Sequence, residues 1–116
     1  MNSEAQVVPP SPATVTIHEA ERASGPSGAV LYGSKIDLDA AVSRRKTGED
    51  IVVRGDDQRA NRQRAKQIES AVGDAERQDP HKQAGPLVLP HYQQKNKPPD
   101  GHTFYETKKR KARKKR

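Results

Sequence analysis

The stretch DIVVRGDDQRANRQRAKQIESAVG (residues 50–73) predicts a buried strand that leads directly into a helix. Ile51, Val52 and Val53 are consecutive β-branched residues, and Gly55 closes the run. A run with no polar face is typical of a central strand whose two faces are both covered. We therefore expect this strand to lie in the middle of a sheet.

The helix of this stretch is predicted over about residues 57–72. Asp56 or Asp57 is suited to cap its first turn, and Gly73 lies just past its end. Small and apolar side chains recur at helical spacing at Asn61, Ala65, Ile68 and Val72. Such a narrow stripe suits a helix that packs on a sheet while its basic side chains face solvent.

Weaker signals on either side complete a small α+β domain. Asp37 precedes apolar residues at helical spacing and Gly48 follows them, which predicts a short helix over residues 38–46. Further strands are expected at residues 29–32, 87–92 and 102–106. Because Pro90 has no N–H, residues 87–92 should form an edge or bulged strand, paired with residues 102–106 in a hairpin. We expect a small mixed or antiparallel sheet with one main helix and one short helix.

The composition changes along the chain and predicts three parts. Residues 1–28 are rich in Pro, Gly, Ser and Ala and are expected to form a disordered leader. Within this leader, the patch at residues 15–17 is apolar enough to add one edge strand. Residues 29–107 are the predicted folded domain, and residues 108–116 are a predicted disordered basic tail.

Size and composition exclude several classes of protein. The chain has 116 residues, of which 30% are hydrophobic and 3% aromatic, so it can bury only a small core. It has no cysteine, which excludes disulfides, zinc–thiolate sites and cysteine nucleophiles. Its apolar runs are far shorter than the roughly 20 residues of a transmembrane helix, and no secretory signal is visible. We expect a cytoplasmic protein with no membrane partner.

The basic excess lies at one end of the chain. The net charge is +7, but residues 108–116 hold eight basic residues, whereas the other 108 residues hold 14 basic and 15 acidic ones. Such a tail is expected to bind polyanions through phosphate contacts. The residues expected to contact nucleic acid are Lys108, Lys109, Arg110, Lys111, Arg113, Lys114, Lys115 and Arg116. The alternative is a tail that only improves solubility.

Three histidines near the predicted hairpin are the candidates for chemistry, namely His81, His91 and His102. Metal-independent cleavage of RNA needs a base for the ribose 2′-hydroxyl, an acid for the leaving 5′-oxygen and a cation for the phosphorane. An imidazole exchanges protons near neutral pH, so His91 and His102 suit the first two roles. Lys82, Arg54 or a tyrosine hydroxyl suits the third.

Two other interpretations of the histidines stay open. In the first, they are amphipathic residues at the edge of the core or in a loop and have no chemical role. In the second, His81, His91 and His102 bind a metal ion with Glu106 or Asp100, although their spacing matches no compact ligand motif. The acid–base interpretation also depends on strand register, since a slip of one residue puts His91 and His102 on opposite faces.

Two tyrosines fall on the opposite strand parity to the histidines. Tyr92 follows His91, and Tyr105 is three residues after His102, so both tyrosine rings should point to the other face of the sheet. Aromatic rings on an open sheet face stack on nucleic-acid bases. With so few aromatic residues in the chain, we favour the alternative that both rings pack beneath a helix.

The predicted hairpin also carries a resemblance to a known class of modules. The segments GP (residues 85–86), LPHYQ (residues 89–93) and GHTFYE (residues 101–106), with GEDIVVRG (residues 48–55) and the helix after it, carry the likeness. Over residues 29–107 the chain resembles the C-terminal toxin modules of bacterial polymorphic toxins, such as those that end Rhs-type proteins.

The resemblance implies a function and partners. Many modules of this class are metal-independent ribonucleases, which are delivered into a target cell and paired with an immunity protein. By resemblance, the catalytic candidates are His81, His91, His102 and Tyr105. We expect a toxin-like ribonuclease with RNA as its favoured substrate and with no cofactor or metal ion. The alternatives are a non-enzymatic nucleic-acid-binding protein that uses the basic tail and a small protein-interaction domain.

Overall fold

The computed structural model describes residues 14–80, 85 and 87–115. Within this part of the chain, two helices and one mixed sheet of seven strands form an α+β fold, as predicted from the sequence. The elements are β1 (Thr16–Arg22), β2 (Val30–Ile36), α1 (Leu38–Lys46), β3 (Ile51–Arg54), α2 (Gln58–Val72), β4 (Ala75–Gln78), β5 (His91–Gln94), β6 (Thr103–Tyr105) and β7 (Arg113–Lys114). The order of strands across the sheet is β4-β5-β6-β3-β1-β2-β7.

The strand and helix of residues 50–73 form as predicted and lie at the centre of the fold. β3 is the middle strand, pairs antiparallel with β1 and parallel with β6, and buries Ile51, Val52 and Val53 completely. The Asp57 carboxylate caps α2 by accepting a hydrogen bond from the backbone N–H of Ala60 at 3.0 Å. The short helix α1 also has the predicted bounds.

The two faces of the sheet are covered differently. On one face, which we call the helix face, α1 and α2 pack on a core cluster whose buried members are Ile17, Ala41, Ile51, Val53, Ala65, Ile68, Tyr92 and Tyr105. The other face, which we call the helix-free face, carries a smaller cluster of Ala20, Val30, Val52, Leu89, Phe104 and Ala112. Both faces of β3 are therefore buried, which explains its unbroken apolar sequence. No helix in the described part of the chain is both long and apolar enough to cross a membrane.

The prediction of a disordered leader over residues 1–28 is wrong for residues 16–22, which form β1. β1 is an inner strand between β3 and β2, and its Ile17 side chain lies in the core of the helix face. The register of β1 against β2 shifts between His18 and Ala20, where β2 has one residue more than β1, while β1 keeps a regular register against β3. Only Ile17 and Ala20 of its seven residues are buried, and the polar side chains around them hide the strand in the sequence. Residues 1–13 lie outside the described part.

The prediction of a disordered tail over residues 108–116 is wrong for residues 108–115. β7 pairs parallel with β2, and the backbone N–H of Lys115 donates to the carbonyl of Tyr32 at 2.9 Å. Ala112 is 7% exposed and belongs to the cluster on the helix-free face. One small apolar side chain among the cations therefore docks the segment, a signal that the charge composition hides.

The predicted hairpin forms, but with shifted bounds. β5 and β6 pair antiparallel, and β5 begins at His91 rather than at residue 87. β5 is also not an edge strand, because β4 pairs with it on the side opposite β6. The short polar strand β4 was not predicted from the sequence. Pro90 lies just before β5, so its missing N–H removes no bond from the ladder. β2 extends from the predicted residues 29–32 to Ile36.

Candidate active site

The register of the hairpin brings two of the candidate histidines together. His91 pairs with Phe104, and His102 lies two residues before Phe104, so all three side chains point to the helix-free face. The ring centroids of His91 and His102 are 4.6 Å apart in an edge-to-face arrangement. The Phe104 ring lies 5.5 Å from that of His91 and 5.2 Å from that of His102, so it forms an apolar support beside the pair.

Asp50 completes this cluster, and the sequence did not point to it. β3 and β6 run parallel with Ile51 opposite Thr103, which places Asp50 beside His102 just before both strands begin. Asp50 Oδ1 accepts a hydrogen bond from the backbone N–H of His102 at 2.8 Å and lies 3.2 Å from Nδ1 of the same residue. The carboxylate therefore fixes the ring orientation and favours the tautomer that carries a proton on Nδ1.

The surroundings of Asp50 and His91 lower the pKa values of both side chains. Burial alone would raise the pKa of Asp50, but the hydrogen bonds and charge of His102 outweigh it and hold the pKa below its ordinary value of 3.8. Burial, together with the neighbouring His102, lowers the pKa of His91 below its ordinary value of 6.5. The charge of Arg22 on β1 contributes to lowering both pKa values. Arg22 lies within the predicted leader and was therefore missed.

The two histidines differ in what holds their ring nitrogens. Nε2 of His91 lies 3.1 Å from the amide oxygen of Gln93, while its buried Nδ1 has no hydrogen-bond partner among the described residues. In the same part of the chain, Nε2 of His102 has no side-chain or backbone partner, since its contact with Asp50 uses Nδ1. A ligand that approaches the helix-free face can therefore bond to His102 without displacing a protein group.

A buried ion pair on the opposite side of the sheet holds the segment that carries His102. The side chains of Arg45 and Glu69 are both 0% exposed, and Nε of Arg45 donates to Glu69 Oε1 at 2.8 Å. The same guanidinium donates to the carbonyls of Asp100 at 2.8 Å and Gly101 at 3.2 Å. Glu69 also accepts a hydrogen bond from the hydroxyl of Thr103 at 2.8 Å. The pair thus fixes the backbone on both sides of His102.

Gly101 makes this arrangement possible. Its φ of +94° lies in the left-handed region that glycine adopts without strain. A Cβ atom at this position would lie 2.6 Å from Nη1 of Arg45 and 2.6 Å from the carbonyl oxygen of Gly48. The residue before His102 must therefore be glycine for the guanidinium to approach the backbone.

The other catalytic candidates do not join this cluster. Tyr105 is 2% exposed and lies on the helix face, where it packs in the core as the favoured alternative predicts. Burial raises the pKa of its hydroxyl above 10.0, despite a hydrogen bond to Arg77. His81 lies outside the described residues. Arg54, which the sequence offered as the cation, is occupied, because it bonds to Glu106 at 3.0 Å and lies 3.7 Å from the centre of the Tyr32 ring.

The remaining histidine, His18, lies on the helix-free face but is held by protein groups. Its Nδ1 is 3.1 Å from the carbonyl oxygen of Gly33, and its Nε2 is 3.0 Å from the hydroxyl of Thr16. Its ring also packs edge-on against Tyr32, with the centroids 5.1 Å apart. Both nitrogens of His18 therefore have structural partners, which makes it a control for the chemistry of the His91 and His102 pair.

The cations of the tail are fixed in position by its docking. The side chains of Lys108, Lys109, Lys111, Arg113, Lys114 and Lys115 belong to exposed residues, while Arg110 is half-buried and donates to the carbonyl of Val88 at 2.8 Å. Glu106 anchors the segment by accepting a hydrogen bond from the backbone N–H of Ala112 at 2.9 Å. Arg116 lies outside the described residues. The tail therefore presents an ordered row of charges.

The metal-binding alternative needs at least three ligand side chains close together. Within residues 14–80, 85 and 87–115, no three His, Asp or Glu side chains are grouped so that they could hold a metal ion. Glu106, one of the proposed ligands, is 2% exposed and already bonds to Arg54, Gly55 and Ala112.

Comparison of the chain with protein-family models, curated proteins and solved structures found no match.

Proposed function

We propose that this protein is a toxin-like, metal-independent ribonuclease whose acid–base pair is His91 and His102. The observation that carries the proposal is the edge-to-face contact of the two rings, with Asp50 bonded to one of them. Two imidazoles in different electrostatic surroundings are suited to opposite proton-transfer roles in one reaction. The resemblance to polymorphic-toxin modules supports the same assignment and adds an immunity protein as the expected partner.

The two histidines take different roles in the proposed reaction. His91 is the base, because its lowered pKa keeps the ring neutral at neutral pH. Nε2 now donates its proton to the Gln93 oxygen, so the ring proton must move to Nδ1 before Nε2 can take the proton of the ribose 2′-hydroxyl that replaces Gln93. The 2′-oxygen attacks phosphorus and forms a 2′,3′-cyclic phosphate. His102 is the acid, and its Nε2 gives a proton to the departing 5′-oxygen while Asp50 holds Nδ1.

The position of the phosphate follows from the contact between the rings. Because the centroids of His91 and His102 are only 4.6 Å apart, the scissile phosphate must lie over the open edge of the pair rather than between the rings. Arg22 is exposed, and its charge acts on both His91 and Asp50, so it is suited to stabilise the charge of the phosphorane.

A cleavage assay in EDTA tests the proposal. Purified protein is incubated with end-labelled RNA, and the products are examined for a 2′,3′-cyclic phosphate end. Cleavage by the wild type should fall by at least about a hundredfold in His91→Ala and in His102→Ala. His18→Ala is the matched control and should keep its activity, because His18 bonds only to protein groups. Absence of cleavage of any RNA by the wild type would refute the proposal.

A second candidate function, nucleic-acid binding without catalysis, is supported by the row of exposed cations between residues 108 and 115. Deleting this segment does not test it cleanly, because Ala112 is part of the core. Replacing Lys111 and Lys114 by Gln removes charge but leaves Ala112 in place. Under this function, binding of RNA should weaken and become less dependent on salt, whereas His91→Ala should have no effect on any activity.

A further inference from the structure

A cationic cleft lies on the helix face, where Tyr105 was found instead of beside the histidines. Its volume is about 470 Å³, and α2, β4 and the first residues of the tail line it. The charged and polar side chains that matter for its chemistry are Arg62, Arg77, Tyr105, Lys108, Lys109 and Arg110. Three separate segments of the chain therefore bring cations to one concavity.

Most of this charge has no acidic partner. Asp79 also lines the cleft and lies 3.8 Å from Arg77, a distance at the limit of an ion pair. Arg62, Lys108 and Lys109 are exposed, and none of them has an ion pair with a described residue. Like charges held close together repel one another, so the cleft favours a ligand that brings several negative charges.

The side chains that line the cleft suit a phosphate ligand. The guanidinium groups offer paired N–H donors that match phosphate oxygens, and the lysines add point charges at the rim. Tyr105 also lines the cleft, close to Arg77. Pro80 and Pro90 provide apolar walls, which suit a ribose or a base beside the phosphates.

We propose that this cleft binds the phosphodiester backbone of single-stranded RNA and is a substrate-binding site separate from the histidines. This inference rests on the proposed function for the identity of its ligand. The tail favours a polynucleotide over a single nucleotide, because it runs from the cleft at Lys108, past Ala112 on the helix-free face, to β7 at the edge of the sheet. Its ordered cations thus continue the charged surface from the cleft to the face that carries His91 and His102.

Binding of an oligonucleotide that cannot be cleaved tests the site. The probe is a fluorescently labelled 2′-deoxy oligonucleotide, which lacks the hydroxyl that the proposed reaction needs, and its anisotropy is measured over a range of salt. Arg62→Ala/Lys109→Ala should weaken binding by roughly tenfold and reduce the magnitude of the log–log salt slope by about 1.4, the value for two lost contacts to a single strand. The matched control Lys46→Ala/Lys95→Ala removes the same charge from exposed positions outside the cleft and should change affinity by less than about twofold.

The outcomes separate this inference from the proposed function. Equal weakening in the two double variants would overturn the cleft, because net charge alone would then explain binding. Competition by uridine monophosphate as strong as that by the unlabelled oligonucleotide would also overturn it in favour of a nucleotide site. Failure of the wild type to bind the probe would favour an acidic protein partner instead. By contrast, normal cleavage by His91→Ala would refute the catalytic assignment and leave the binding result intact.

Discussion

Glu69→Gln tests how strongly the buried ion pair supports the fold and the proposed site. The substitution removes the negative charge that faces Arg45 while keeping nearly the same side-chain volume. Both side chains are 0% exposed, so solvent cannot replace the lost partner. Breaking a buried pair in this way costs about 3–5 kcal/mol, because one charge stays buried without compensation. For a domain whose total stability is about 5–15 kcal/mol, this is a large fraction.

The measurement is urea unfolding followed by circular dichroism. With a slope of about 1.5 kcal/mol per molar, a loss of about 4 kcal/mol moves the midpoint down by nearly 3 M. Glu21→Gln is the matched control, because it makes the same change in a pair with Lys115 whose two side chains are 50% and 51% exposed. This exposed pair should contribute less than about 1 kcal/mol.

A double variant distinguishes the charge from the packing. Arg45→Met/Glu69→Met removes both charges, so its cost should be smaller than the sum of the two single substitutions. It should still be less stable than the wild type, because the carbonyls of Asp100 and Gly101 lose their donor. A cost below about 1 kcal/mol for Glu69→Gln, or strict additivity in the double variant, would refute the reasoning.

Four further predictions concern the site and the tail. Asp50→Asn should lower RNA cleavage by at least about tenfold, measured as kcat/KM, and unchanged activity would exclude Asp50 as a positioning residue. The folded pKa of Asp50 lies below 3.8, so the stability that Asp50 contributes should be complete above about pH 5 and disappear as the pH falls through the folded pKa. Acid unfolding of the wild type, compared with that of Asp50→Asn, measures this loss. Because the folded pKa of His91 is lowered, His91 should reduce the stability of the fold only below about pH 6.5. For the same reason the acidic limb of the pH profile of kcat/KM should lie below pH 6.5, and a limb above that pH would contradict the role of His91 as the base. Ala112→Asp should undock the tail and speed trypsin cleavage there well beyond the effect of Arg113→Gln, and equal cleavage rates would contradict docking.

The centre of the fold is readable from the sequence because its signals are local. Ile51, Val52 and Val53 show the buried strand, and the helical stripe and Asp57 cap show α2, so both form within a residue or two of their predicted bounds. β1 escapes prediction because only Ile17 and Ala20 of its seven residues are buried, and most of the others are polar. The docked tail escapes because its cations dominate the composition, while a single alanine makes the apolar contact.

Only the part of the candidate site that depends on local pairing could be predicted from the sequence. His91 and His102 stand out because they share a predicted hairpin, and the strand parity then puts them on one face. Asp50 and His102 are 52 residues apart, and they become neighbours only through the parallel pairing of β3 with β6. No local pattern encodes the partner of a parallel strand, so the carboxylate that holds His102 becomes visible only in three dimensions.

The parallel pairing of β3 with β6 also has a kinetic consequence. The chain must close the loop between Asp50 and His102, which contains α2, β4 and β5, before this pairing forms. Closing so long a loop costs entropy that is recovered only when non-local contacts are made, whereas the β1–β2 hairpin and the helices depend on nearby residues. The His91 and His102 pair should therefore assemble in the final cooperative step of folding. A partly folded chain would hold much of its secondary structure and yet lack the contact between His91 and His102 on which the proposed function depends.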